Sequence, residues 1–258
     1  MQSSVATKSR PDCWRLDRLR IRRRWVCLCA CLLLAAAGAF AQEAGVDARI
    51  EISKNGHKLK DASGAVVWLT RIGGPQPQPP VQKDSEIPKL VQKNKMFQPS
   101  LIVVPVGGKV EFPNRDPFFH NVFSLFEGKR FDLGLYESGT TRFVQFDKPG
   151  ISFIFCNIHA QMSATVIALA TPYYAVSDTH GNVAIPRVPR GRYQVQVFHS
   201  AVPPEQLRTL SREITVTSGP VSVGTLSLAE SDIELAHKNK YGQEYDRPDP
   251  ESPAYARP

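Results

Sequence analysis

Short apolar stretches, separated by turns that contain glycine or proline, recur along the chain from residue 48 onward. Residues 48–52 alternate apolar and polar positions, residues 64–69 are mostly apolar, and Asn55-Gly56 between them is a turn signal. Further stretches of this kind cover residues 101–106, 110–112, 141–146, 151–156, 164–169, 173–176, 183–185 and 193–198. Short strands at this spacing predict an all-β, antiparallel-rich sandwich or barrel, with no amphipathic helix of useful length.

The first 41 residues have a different pattern. A basic segment ending at Arg24 precedes an apolar run over residues 25–40, and Ala-Phe-Ala at 39–41 is a small-x-small cleavage sequence. We therefore predict an export signal over residues 1–41, cleaved before Gln42, and a mature protein that is periplasmic or secreted. An uncleaved membrane anchor is the alternative, although the apolar run is shorter than the roughly 20 residues that span a bilayer. The general secretory and twin-arginine export routes both stay open.

Changes in composition divide the rest of the chain. Residues 73–80 are rich in proline, which fixes φ and lacks an N–H, so we predict a linker over residues 73–95. From residue 230 the chain is charged, contains proline and has few aliphatic side chains, which predicts a disordered tail over residues 230–258. The β patterns between these boundaries fill residues 42–72, 96–170 and 171–229.

The charge of the mature chain argues against a nucleic-acid partner. Cleavage removes eight of the 32 basic residues and two of the 24 acidic ones, which lowers the formal net charge from +8 to +2. A near-neutral chain without a basic stripe or a nucleic-acid motif is not predicted to bind DNA or RNA. No other apolar segment is long enough to span a bilayer, so we predict no membrane span in the mature chain. Its length suits one large or two ordinary domains, and its oligomeric state is left open.

Cysteine usage narrows the chemistry. Four of the five cysteines lie in the predicted export signal, so Cys156 is the single thiol of the mature chain and no intramolecular disulfide is possible. A lone cysteine in an exported protein is a buried hydrophobe, an intermolecular bridge, or a thiolate that acts as ligand or nucleophile. The residues around Cys156 must decide among these three roles.

Those residues supply the donors of a mononuclear copper site. Cys156 ends an apolar stretch, His159 and Met162 follow at spacings of three, and His120 lies 36 residues earlier. A blue-copper site uses one thiolate, two imidazoles and a weak axial thioether, and spacings of three let one turn surround a single ion. Zinc is the alternative, but structural zinc sites rarely use methionine, so we predict one copper ion.

The segment over residues 97–169 resembles a complete cupredoxin of the amicyanin or plastocyanin type. The resemblance is carried by Gln98-Pro99, by Gly-Gly-Lys-Val-Glu-Phe at 107–112, by His120-Asn121-Val122, by Pro149-Gly150 and by the Cys-x-x-His-x-x-Met loop at 156–162. It implies a Greek-key β-sandwich over residues 96–170 that holds one copper ion cycling between Cu(I) and Cu(II).

The same resemblance assigns roles to individual residues. His120 and His159 would bind copper through Nδ1, Cys156 as thiolate and Met162 axially. Asn121 would lie behind these ligands and connect the histidine strand to the cysteine loop. The implied function is electron transfer with a redox protein partner, whose identity the sequence leaves open.

The flanks resemble a second family. Residues 174–185 followed by Val-Pro-Arg-Gly-Arg-Tyr at 188–193 are similar to carboxypeptidase regulatory-like, or transthyretin-like, β-sandwiches. Residues 42–72 look like the first strands of the same sandwich and residues 171–229 like its remainder. We therefore expect the cupredoxin domain to be inserted into this second sandwich. The combination resembles exported, plastocyanin-like proteins of the "methylamine utilisation protein" kind.

The expected function is that of an exported one-electron carrier and not of an enzyme. Multicopper oxidases need a His-Cys-His run and binuclear centres need two cysteines, and the mature chain has neither. The alternative is a copper-binding, assembly or cell-surface module with the same site but no electron-transfer turnover. A copper-free adhesion protein is a third hypothesis. Surface or capping roles are expected for His57, His180, His199 and His237, and a packing role for Met96.

Overall fold

The computed structural model describes residues 43–125, 128–231 and 238–245. The predicted export signal lies outside these residues. The strands are β1 (Glu43–Lys54), β2 (His57–Lys58), β3 (Val66–Ile72), β4 (Val91–Lys93), β5 (Met96–Gln98), β6 (Leu101–Pro105), β7 (Lys109–Pro113), β8 (His120–Ser124), β9 (Phe131–Tyr136), β10 (Thr141–Gln145), β11 (Gly150–Cys156), β12 (Ser163–Leu169), β13 (Tyr174–Val176), β14 (Asn182–Pro189), β15 (Gly191–Phe198), β16 (Arg212–Val216) and β17 (Val221–Glu230). Helix α1 (Pro204–Thr209) and a 3-10 turn at Asp84–Glu86 are short, so the protein is nearly all-β, as predicted.

Helices contribute little to the described part of the chain. None of those present there has the length and apolar character needed to cross a membrane.

Strands from the two ends of the described chain form one sandwich, here called the flanking sandwich. One sheet has the order β14-β1-β17, with β2 paired to β1, and the other has the order β13-β3-β15-β16. Alternate residues of β1, among them Val46, Ile50 and Ile52, point into the core between the sheets. At the end of β1, Asn55 and Gly56 both have positive φ, which suits the tight turn into β2.

Strands β4 to β12 form the central domain. Its larger sheet has the order β6-β12-β11-β8-β9 and its smaller sheets are β7-β10 and β4-β5. The chain passes from β6 in the larger sheet to β7 in a smaller one, returns for β8 and β9, and crosses again for β10, as in a Greek-key sandwich. The core between the sheets contains Val110, Phe112, Ile154 and Val166.

These pairings are the ones expected if the central domain is inserted into the flanking sandwich. Strands β1 and β3 precede the central domain in sequence, whereas their neighbours β13, β14, β15 and β17 follow it. The insertion and the transthyretin-like character of the flanking sandwich both stay proposals.

Strand β12 is buried on both faces. Val166 and Ala168 pack in the core of the central domain, whereas Ile167 and Leu169 belong to the core of the flanking sandwich. Leu101 on β6 and Phe153 on β11 also pack against the flanking core. A strand covered on both sides needs apolar residues at consecutive positions, which explains the unbroken apolar run from residue 166 to 169.

The linker predicted over residues 73–95 is wrong at its end. Residues 75–83 are irregular, as their prolines require, but the chain then runs beside β7 and forms β4. Leu90 is fully buried, its N–H donates to the carbonyl of Glu111, and the N–H of Glu111 donates to Pro88. Strand β4 is stabilised by backbone pairing and by the burial of one leucine. It is too short to show a periodic pattern in the sequence.

The disordered tail predicted over residues 230–258 is wrong for residues 238–245. This segment, here called the strap, lies on the loop that follows Cys156. The backbone N–H of Lys240 donates to Asn157 Oδ1, and the hydroxyl of Tyr245 donates to the carbonyl of Cys156, both at 2.8 Å. The rest of the predicted tail beyond Ser231 lies outside the described residues.

Candidate metal centre

The ends of two paired strands position the candidate ligands. Strand β8 begins at His120, β11 ends at Cys156, and the two strands pair antiparallel with Cys156 opposite Val122. The loop between β11 and β12 carries His159 and closes on itself, because the N–H of Met162 donates to His159 and the N–H of Cys156 donates to Met162. The apolar stretch and the spacings of three therefore form the strand and turn that the sequence predicts.

Three predicted donors meet at one point. Cys156 Sγ lies 3.6 Å from Nδ1 of His120 and 3.5 Å from Nδ1 of His159. Metal bonds of about 2.3 Å to sulfur and 2.0 Å to nitrogen, at tetrahedral to trigonal angles, place sulfur and nitrogen roughly 3.5 to 3.8 Å apart. The ligand atoms of His120, Cys156 and His159 all lie within 4.8 Å of one another. The group has the size that a single metal ion requires.

The chemistry of these donors fits copper. One thiolate and two imidazoles in a trigonal set are the equatorial ligands of blue-copper sites. The fourth predicted donor, Met162, is fully buried and packs in the same core cluster as Cys156. The donor set of the structure is therefore one that can bind a single copper ion.

Water has little access to this group. His120 and Cys156 are fully buried, and only 9% of His159 is exposed. The ring of Phe118 covers both imidazoles, with centroid distances of 5.3 Å to His120 and 5.6 Å to His159. Its neighbour Phe119 is half exposed and faces solvent at the same end of the domain.

Burial also sets the protonation of the donors. It lowers the pKa of His120, against the effect of the nearby Asp116, and lowers the pKa of His159 to about 4. Both imidazoles are therefore neutral at pH 7 and have lone pairs for a metal. Burial raises the pKa of the Cys156 thiol, although the backbone N–H groups of Ile158, Asn121 and His159 act in the opposite direction. Metal binding as thiolate must then release a proton.

Asn121 connects the histidine strand to the cysteine loop through its backbone. Its carbonyl accepts a hydrogen bond from the N–H of Asn157 at 3.0 Å, and its own N–H points to the sulfur of Cys156. The side-chain amide donates instead to Asp132 Oδ1 at 2.7 Å. The connection expected of Asn121 is present, and its backbone makes it.

Two groups around the site have no role in the prediction from sequence. Asp116 Oδ2 lies 2.9 Å from Nε2 of His120, and Tyr245 of the strap contacts the carbonyl of Cys156. Asp116 precedes His120 by four residues, but outside a helix this spacing does not predict a contact between two side chains. The backbone N–H of Asp116 donates to Asn114 Oδ1 at 3.0 Å. The strap carries no apolar pattern, so nothing in its composition indicates where it lies.

The other histidines that the structure describes lie away from this group. His57 and His180 are exposed, as expected, and His237 is outside the described residues. His199 is buried, contrary to the surface role expected for it, and its Nδ1 accepts a capping hydrogen bond from the N–H of Ala201 at 3.4 Å. Met96 is half exposed and not packed in a core.

Comparisons with known proteins give a partial match. No protein-family model and no curated protein matches the chain. Among solved structures, a novel purple cupredoxin from Nitrosopumilus maritimus is 20% identical, covering 32% of this chain and 99% of its own, with a TM-score of 0.29. A reduced mutant of amicyanin is 17% identical, covering 32% of this chain and 82% of its own, with a TM-score of 0.31.

An enzyme is also among the similar structures. The copper-containing nitrite reductase of Thermus scotoductus is 22% identical, covering 39% of this chain but only 25% of its own, with a TM-score of 0.31. The assignment of the metal centre accordingly rests on the donor atoms of this chain.

Proposed function

We propose that the mature protein is an exported type 1 copper protein that carries one electron at a time. His120, Cys156, His159 and Met162 are the proposed ligands of one copper ion. The observation that carries the proposal is the buried triangle of Cys156 Sγ and the two Nδ1 atoms, with sulfur-to-nitrogen distances of 3.5 and 3.6 Å. The predicted export signal supports a periplasmic or secreted location.

The arrangement of the donors supports electron transfer more than catalysis. The three donors are already in place, so a bound copper ion would change oxidation state with little movement of its ligands. With Met162 as a fourth ligand, no coordination position would be open to a substrate, whereas catalytic metal sites keep one open. Copper supplies the one-electron couple, and the protein supplies a fixed, shielded set of donors.

Electrons would enter and leave through a redox protein partner. Among the donors, only His159 reaches the surface, and its ring contacts Phe118, the neighbour of the half-exposed Phe119. The flanking sandwich is proposed to hold the inserted copper domain, and the identity of the partner stays open.

Copper titration of the mature protein tests the proposal. Addition of one equivalent of Cu(II) should produce an intense blue absorption, because charge transfer from the Cys156 thiolate to copper gives blue sites their colour. The variant Cys156→Ser should stay colourless, whereas His180→Ala, which changes an exposed histidine, should be as blue as the wild type. A colourless wild-type protein, or an equally blue Cys156→Ser variant, would contradict the proposal.

A kinetic measurement separates an electron carrier from a copper-binding module without turnover. The electron self-exchange rate between the Cu(I) and Cu(II) proteins should be fast, because the buried donors need little rearrangement. A slow rate together with an intact blue spectrum would favour the copper-binding or assembly alternative.

A further inference from the structure

We propose that Asp116 is a positioning residue that lowers the reduction potential of copper bound at His120. The inference rests on the proposed copper site. In this proposal a carboxylate that is not itself a ligand controls which oxidation state of copper the site prefers.

The two ring nitrogens of His120 have different partners. Nδ1 lies 3.6 Å from Cys156 Sγ, whereas Nε2 lies 2.9 Å from Asp116 Oδ2. A carboxylate accepts and does not donate, so Nε2 carries the proton and Nδ1 keeps its lone pair free for a metal. The contact thus selects the tautomer that a copper ligand must have and fixes the orientation of the ring.

The carboxylate of Asp116 is itself held in place. The backbone N–H of Asn94 donates to Oδ1 at 2.6 Å and that of Lys95 donates to Oδ2 at 3.0 Å. Asn94 and Lys95 both have positive φ and form the turn between β4 and β5, so this turn aims two successive N–H groups at one side chain. The β4-β5 hairpin, which lies partly in the predicted linker, therefore fixes the position of the Asp116 carboxylate.

Asp116 is charged although only 3% of it is exposed. The backbone N–H groups of Asn94 and Lys95 take the place of water around its oxygens, and hydrogen bonds of this kind stabilise the charged form of a carboxyl group. The negative charge is separated from the metal position by one imidazole ring. In so shielded an environment a charge acts much more strongly than in solvent.

A fixed negative charge stabilises Cu(II) more than Cu(I), because the oxidised ion carries one more positive charge. The hydrogen bond also makes the imidazole a better donor, which again favours Cu(II). Both effects lower the reduction potential. A purely structural role, in which Asp116 only secures the β4-β5 turn, would alter stability and leave the potential unchanged.

The variant Asp116→Asn keeps the size of the side chain and removes its charge. Loss of such partners of ligating histidines typically costs 10–100-fold in metal affinity. We expect this loss for Cu(II), with Cu(I) affinity little changed. At 59 mV for each tenfold change in a one-electron couple, the potential of the blue protein should rise by roughly 60 to 120 mV. Asp132→Asn is the matched control, since Asp132 contacts Asn121 and Lys240 but neither imidazole.

The outcomes are distinct. A blue Asp116→Asn protein with unchanged potential, or an equal rise in Asp132→Asn, overturns the inference. A wild-type protein that binds no copper overturns the proposed function instead. If Asp116→Asn does not fold, ¹⁵N NMR of the metal-free wild-type protein decides from the His120 tautomer. A proton on Nε2 supports the role of Asp116, and a proton on Nδ1 refutes it.

Discussion

Met162 is both a core residue and a proposed copper ligand. It is fully buried in the core of the central domain and belongs to the loop that brings His159 back towards Cys156. Packing and copper binding therefore have to be separated by a substitution that preserves volume.

The variant Met162→Leu makes this separation. Leucine conserves volume, so the free energy of unfolding of the copper-free protein should change by less than about 1.5 kcal/mol. The reduction potential should rise, because loss of a weak sulfur donor destabilises Cu(II) more than Cu(I). Denaturant unfolding and redox titration measure the two effects. An unchanged potential would mean that Met162 is only a core residue.

His199 gives the copper-free protein a pH dependence that does not involve the ligands. Burial lowers its pKa below the ordinary value of 6.5, although Glu230 and the carbonyl of Ser63 act in the opposite direction. Below pH 6.5 the unfolded chain binds the proton more readily than the folded one, so stability is lost as the pH falls towards the lower folded pKa. Above pH 6.5 this contribution is constant.

The variant His199→Gln should remove this part of the pH dependence. Between pH 7.5 and 5.5 its free energy of unfolding should fall less than that of the wild type, both measured by denaturant unfolding without metal. His120 and His159 also have lowered pKa values, so part of the decline should remain in both proteins. Equal declines in the two proteins would count against a buried, neutral His199.

At the scale of single residues, the grouping of the proposed ligands was predictable and the contact made by Asp116 was not. Cys156, His159 and Met162 lie in one turn, so their spacing in sequence determines their separation in space. The contact between Asp116 and His120 depends on a turn at Asn94 and Lys95 that belongs to a different hairpin. Local spacing cannot contain that information.

Two short elements, the β4-β5 hairpin and the strap, complete the surroundings of the copper loop. The strap adds Tyr245 to the carbonyl of Cys156 and brings Lys240 Nζ to within 2.8 Å of Asp132 Oδ2. Burial raises the pKa of the Tyr245 hydroxyl, which therefore stays protonated and able to donate. The strap and the pair of Asn121 and Asp132 thus form one connected polar network behind the loop.

The variant Tyr245→Phe tests how firmly the strap is attached. It removes one hydrogen bond and keeps the ring, so the free energy of unfolding should fall by about 0.5–1.5 kcal/mol. Tyr241→Phe, at a highly exposed position of the same strap, should change it by less than about 0.5 kcal/mol. Equal effects in the two variants would indicate that the strap is not anchored at Cys156.

These two elements were the ones that the sequence did not predict. Residues 91–93 are too few for a periodic pattern to appear, and the strap is bound by polar contacts, which composition reads as disorder. The longer strands, such as β11 and β15, were predictable because one periodic apolar face is enough to specify them.

The two domains share buried surface and should unfold together. Phe153 of the central domain contacts Phe198 of the flanking sandwich with ring centroids 6.2 Å apart, and Ile167 lies in the flanking core. Trp68, the single tryptophan after residue 41, lines the cleft between the domains together with Phe153. Tryptophan emission reports on the flanking side of this interface and the blue absorption on the central domain.

Thermal unfolding of the copper-loaded protein should give the same midpoint temperature whether it is followed by tryptophan emission or by the blue absorption. The variant Ile167→Ala should lower both together, at a cost of about 2–5 kcal/mol for a buried isoleucine. Val176→Ala, at a partly exposed position of β13, should have little effect on either. Separate midpoints in the wild type would show that the shared surface does not couple the domains.

At the scale of the whole molecule, the all-β class and the order of segments were predictable, but the packing of the domains was not. The apolar run in β12 indicates a strand covered on both faces, yet it does not say what covers the second face. Ile167 and Leu169 on that face share a core cluster with residues of β3, which precedes β12 in sequence, and of β15, which follows it.

Strand β12 also limits how the copper domain can be moved between proteins. If the central domain were expressed alone, water would contact an apolar stripe formed by Leu101, Phe153, Ile167 and Leu169. An exposed apolar surface of this kind favours aggregation. Grafting the domain onto another scaffold would first require polar replacements along that stripe. The same requirement applies to evolution. The central domain can be transferred to another protein only together with the flanking sandwich, or after polar residues have replaced the apolar ones on its outer face.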